Sequence, residues 1–70
     1  MPQKGFSAIV NKLHIHAMRS TASREVQAGQ SDAQFFHVYR RAPSGELMLI
    51  ERKLSFDSAF EYCVIFSALH

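Results

Sequence analysis

Gln34-Phe35-Phe36-His37-Val38-Tyr39-Arg40-Arg41 and Glu46-Leu47-Met48-Leu49-Ile50-Glu51-Arg52-Lys53-Leu54 flank the tetrapeptide Ala42-Pro43-Ser44-Gly45, and this stretch settles the fold class. Both flanks are rich in aromatic and aliphatic residues, which suit a pleated, half-buried surface. Pro43 presets the backbone for the first central position of a turn. Gly45 supplies the left-handed residue that closes a type I turn with a bulge. The reading is a β-hairpin over residues 34–54. With Gly45 as the bulge residue, Val38 is expected to face Ile50, Tyr39 to face Leu49 and Arg40 to face Met48, and neither face is cleanly polar.

Downstream, Ser55-Phe56-Asp57-Ser58 offers side chains that cap orphan backbone amides, and Ser58 with Glu61 fits the capping-box spacing. From Ala59 to Leu69 there is no Gly or Pro, so the segment reads as a C-terminal helix. Phe56, Phe60, Cys63 and Val64 or Ser67 share one helical face, while Tyr62, Ile65, Phe66 and Leu69 share another. Only Ser58, Glu61 and Ser67 are plainly polar between them. A surface helix normally keeps a charged face toward water, so part of this helix is expected to meet a second molecule.

Upstream of the hairpin, Phe6, Ile9, Val10, Leu13 and Ala17 lie on one helical face, whereas Leu13-His14-Ile15-His16-Ala17 alternates as a strand does and Ile15 falls off the helical stripe. A two-stranded hairpin with one helix is marginal in water, and a third strand repairs that. A strand over roughly residues 8–18 is therefore expected, with a partly helical segment as the competing reading. The fold class is α+β: a small three-stranded antiparallel sheet, built on the central hairpin 34–54, with the C-terminal helix packed on it. Residues 19–34 hold one large aliphatic side chain, Val26, and read as a polar connection. A short helical turn is expected there, from Ser23 as N-cap to Gly29 as stop.

Seventy residues, 47% hydrophobic and 20% charged, imply one domain over residues 1–70 with a core too small to be secure without a staple or a partner. The single cysteine, Cys63, excludes an internal disulfide and a Cys-rich zinc framework. Met1-Pro2-Gln3-Lys4-Gly5-Phe6 lacks the apolar core of a signal peptide. The longest apolar run, Tyr62 to Phe66, is far short of the roughly 20 residues that cross a bilayer. A cytoplasmic setting without membrane attachment is the expectation.

Candidate chemistry is thin. His14 and His16 fall on one side of a strand and could share a metal ion with His37 or Cys63, but two histidines at that spacing are common on solvent-facing strands and nothing fixes a third ligand. His14, His16, His37 and His70 all add positive charge on acidification. Cys63 sits mid-helix among apolar residues, where a cysteine packs as a small hydrophobe rather than acting as a nucleophile. The three glycines are isolated, so no phosphate-cradling loop exists. No enzyme, cofactor or metal is expected.

What remains is binding. Tyr62, Ile65, Phe66 and Leu69 are the expected partner or dimer interface, closed most simply by a symmetric homodimer. Arg40, Arg41, Arg52 and Lys53 form the expected charged contact surface, suited to an acidic protein partner. The alternative is a small nucleic-acid-binding protein, because these four cations are interleaved with Phe35, Phe36, His37 and Tyr39 as charge and stacking groups. In outline only, a hairpin followed by a helix resembles small phage and mobile-element products that block a host protein. That likeness implies an inhibitor that occludes a partner surface.

Overall fold

The structure is a computed structural model that describes residues 5–69; Met1 to Lys4 and His70, and with them the leader reading and the fourth histidine, lie outside the described residues. The class is α+β, an antiparallel sheet with one C-terminal helix. The sheet has five strands rather than three: β1 (Ser7–Val10), β2 (Leu13–Ser20), β3 (Glu25–Gln27), β4 (Phe35–Arg41) and β5 (Leu47–Lys53), followed by α1 (Phe56–Leu69). The spatial order is β1-β2-β4-β5, and β3 pairs with the same edge of β2 as β1 does, further along.

The hairpin of β4 and β5 forms as its turn chemistry dictates. Gly45 takes φ +95 and its N–H donates to the Ala42 carbonyl at 2.8 Å, while the Ala42 N–H donates to the Glu46 carbonyl at 2.7 Å. A Cβ at Gly45 would meet nothing within 4 Å, so the backbone alone resists substitution there. Gly45→Ala is expected to cost about 1 kcal/mol in urea unfolding through the left-handed backbone; an unchanged midpoint would show that the turn tolerates a side chain.

Three sequence expectations are corrected. Tyr39 faces Leu49 and Arg40 faces Met48, but Val38 faces Glu51 rather than Ile50, because the register shifts between Val38 and Tyr39. Ile50 is the extra residue of a bulge, and it turns toward the core. The expected single strand over residues 8–18 folds back on itself at Asn11 and Lys12, whose φ values of 50 and 71 are those of a tight two-residue hairpin turn. The expected helical turn from Ser23 to Gly29 is instead β3. The Thr21 hydroxyl bonds both the Arg24 carbonyl, at 2.8 Å, and the Arg24 N–H, at 3.2 Å, turning the chain so that Val26 pairs with Arg19. The Phe6, Ala17 and Ala28 backbones close the junction of β1, β2 and β3: Phe6 donates to Ala28, Ala28 to Ala17, and Ala17 to Phe6.

The cap of α1 is also displaced. Ser55, not the Ser58 and Glu61 pair, holds the helix start: its hydroxyl accepts from the Ser58 N–H at 3.1 Å. Asp57 lies in the first turn, where a negative charge complements the helix dipole. The helix lies on one face of the sheet through its small residues. Ala59 and Cys63 are buried against Leu13, Ile15, Ala17, Phe36 and Val38, with Phe56, Tyr62 and Phe66 packed around them. Full burial of Ile15 and Val38 stabilises by about 2 kcal/mol each.

Candidate functional site

The contacts of α1 fix which side of it faces where. Its start lies where Phe56 meets Phe6 and Phe36, and its last turn lies by the β1–β2 turn, where the Ser67 hydroxyl donates to the Asn11 carbonyl at 3.4 Å. The helix therefore runs antiparallel to β5. Tyr62 leans toward β5: the Lys53 ammonium lies 5.4 Å from its ring centroid, and burial, with Glu51 and Cys63 adding to it, pushes its phenol up. Ile65 and Leu69 follow Tyr62 by three and seven positions and share its side of the helix.

Of the four expected interface residues, Tyr62 and Phe66 are thus half-buried against the core, whereas Ile65 and Leu69 are 51% and 75% exposed. Sequence reasoning missed a second exposed apolar stretch, of which only Met48 lies on the helix side of the sheet. Leu47, Met48 and Leu49 open β5, the terminal strand of the sheet, with Met48 and Leu49 54% and 53% exposed. A run of three large apolar residues in an alternating strand cannot all face one core, and that was the available signal. Phe60 and Val64 are also exposed, but on the opposite flank of α1, beside Phe56.

The four expected cations do not make one patch. Arg40 pairs with Leu13 and Met48 on the helix side of the sheet, and Lys53 lies there too, 3.9 Å from Glu51. Arg52 lies on the other side, over the Phe35 ring at 4.1 Å and 3.9 Å from Glu25, while Arg41 donates to the Gly45 carbonyl of its own turn. Arg40 and Arg41 do line one open cleft of about 1080 Å³, together with Lys12, His14 and Phe66.

The face of the sheet away from α1 carries the histidines. His14 and His16 alternate along β2 as expected, and His16 pairs across with His37. His37 is buried; its Nδ1 lies 3.2 Å from the Tyr39 hydroxyl and its Nε2 3.6 Å from Glu25. A tautomer protonated on Nε2 satisfies both neighbours, with Tyr39 donating. Cys63 lies on the opposite side of the sheet, in the core, and cannot join this group. Among the described residues no three His, Cys, Asp or Glu side chains are placed to hold a metal ion.

His16 titrates below the ordinary imidazole value because of burial first, then the neighbouring His14 and His37. Its folded pKa is depressed, so on acidification below about 6.5 the unfolded chain takes the proton first. Stability is expected to fall as the pH drops through the ordinary imidazole value of 6.5 and to be insensitive well above it, and His16→Gln should flatten the slope. Melting temperatures across this range check it; a variant with an unchanged slope would assign the effect elsewhere.

No family model, curated protein or solved structure matches the chain. No helix among the described residues is long and apolar enough to cross a membrane.

Proposed function

We propose that this chain is a small non-enzymatic protein-interaction module that self-associates and binds or occludes a partner surface. The observation that carries the reading is that Ile65 and Leu69 of α1 and Met48 of β5 stand exposed on the helix side of the sheet, while Leu47 and Leu49 stand exposed on the other face of the same edge strand. Half-exposed side chains of this size give roughly 1 kcal/mol each when covered. One such surface against a polar one supplies about 5 kcal/mol, at the low end of the cost of association, whereas a symmetric contact uses every residue twice.

The experiment is Ile65→Asp combined with Leu69→Asp. Both positions face water in the single chain, so the variant is expected to keep its circular dichroism and melting profile while losing assembly mass or partner capture that the native chain shows. An unfolded product would assign these residues to the core, and unchanged assembly would remove α1 from the interface.

The nucleic-acid alternative draws less support. Stacking needs accessible rings, and Phe35 and His37 are buried, with Arg52 lying on Phe35. Salt separates the readings, since phosphate contacts weaken steeply with ionic strength and an apolar seam does not.

A further inference from the structure

We propose that the cleft lined by Lys12, Arg40 and Arg41 is a binding site for an extended acidic peptide segment of a partner protein. This rests on the interaction reading and names the chemistry of the partner. The cleft, of about 1080 Å³, lies where the β1–β2 turn, the exit of β4 and the last turn of α1 come together, and the Ser67 hydroxyl ties the helix end to the turn at the Asn11 carbonyl. Its charge is one-sided. Lys12, Arg40 and Arg41 line it together with His14, and none of the chain's six Asp and Glu side chains does. Elsewhere cations have counter-charges: Arg52 lies by Glu25 and Lys53 by Glu51. Lys12 and Arg40 are exposed and have no ion-pair partner among the described residues. Arg41 donates one N–H to the Gly45 carbonyl, which holds its guanidinium at the cleft with further donors to offer. Cations gathered around one recess without a counter-charge raise the local concentration of an anion.

Strand alternation decides which anion fits. Arg40 stands on the helix side of the sheet and Arg41 on the other, with Lys12 in the turn next to them. That spread suits a chain carrying several carboxylates across the end of the sheet better than one compact anion. Guanidinium forks match carboxylates in planar, two-bonded pairs. Leu13, Pro43 and Phe66 add apolar lining that takes an aliphatic side chain between the charges. A nucleic-acid strand finds less to hold, because Phe66 packs against the core and only the half-buried His14 ring is left for a base.

Fluorescence anisotropy tests this with a short labelled peptide of Glu and one Leu, its ends blocked, against the matching peptide with Gln for Glu. The Glu peptide should bind about tenfold more tightly, or better. Lys12→Gln combined with Arg40→Gln should weaken it by about tenfold. Arg19→Gln combined with Arg24→Gln removes the same charge at the far end of β2 and should change it by less than about twofold. All four side chains are exposed, so circular dichroism should match the native chain in both variants. Arg40→Gln alone, with a loss of about threefold, carries the test if the Lys12 and Arg40 variant does not fold. No binding at about 1 mM peptide, equal binding of the Gln peptide, or equal losses in the two variants overturns the site. Tighter binding of oligothymidylate, lost in the Lys12 and Arg40 variant, overturns it too and assigns the cleft to nucleic acid. If the Glu peptide does not bind while Ile65→Asp with Leu69→Asp still abolishes assembly, the cleft fails and the interaction reading stands.

Discussion

Ile15→Ala is expected to lower stability by about 3 kcal/mol, enough to leave a large share of so small a protein unfolded. Ile15 is fully buried at the centre of β2, with Ala8 beside it on one strand and Val38 on the other, and it belongs to the cluster that Ala59 and Cys63 of α1 cover. Removing its outer carbons loses their transfer energy and leaves a hole under the helix. The small residues above cannot extend to fill it. Chains of this length commonly have only roughly 4–10 kcal/mol in total, so one such loss is a large fraction. Ile9→Ala is the matched control: Ile9 belongs to the same hairpin but is 69% exposed, and its loss should shift stability by no more than about 0.5 kcal/mol. Urea titrations followed by circular dichroism compare the two. Equal midpoints would show that the sheet face under α1 is not the core.

The second large effect is on thiol chemistry. Cys63 is fully buried and burial pushes its thiol up, so both access and thiolate fraction are low in the folded chain. Alkylation then waits for opening of α1 from the sheet. Labelling by iodoacetamide should be about a thousandfold slower, or more, than in denaturant, in proportion to the open fraction. Leu49→Lys should leave this protection intact in the folded monomer, since Leu49 lies on the far side of the sheet. Labelling within tenfold of the unfolded rate would mean that the helix does not stay seated.

The parts of the fold that were legible carry their own chemistry in adjacent residues. Pro43 and Gly45 announce the β4–β5 turn, and the breaker-free run to Leu69 announces α1. Asn11 and Lys12 adopt the positive φ that a two-residue turn demands without a glycine to advertise it, so β1 and β2 read as one strand. β3 has only three residues and exists because β2 outruns β1 and leaves an edge to pair with. No local pattern encodes that. The bulge at Ile50 is likewise a tertiary outcome, since it lets Ile50 enter the core while Val38 pairs with Glu51.

The surface was half legible for a related reason. Hydrophobic periodicity weighs the large side chains, and these run nearly all round α1. What seats the helix is the small pair Ala59 and Cys63, which allow close approach to Ile15 and Val38. That choice turns Tyr62 and Phe66 inward and leaves Ile65 and Leu69 outside. The grouping of Arg40, Arg41, Arg52 and Lys53 failed on strand alternation, because neighbours in sequence point to opposite faces.

The central claim is that the apolar first half of β5 is a contact surface and not merely wet. The most direct measurement is the bleaching of side-chain methyl signals by a soluble paramagnetic probe in the native protein at a concentration of about 100 µM, high enough to populate a weak interface of micromolar affinity. The account predicts that Met48 and Leu49 are shielded although each is about half exposed in the single chain, while Ile9 bleaches fully. Equal bleaching of Ile9, Met48 and Leu49 would contradict it.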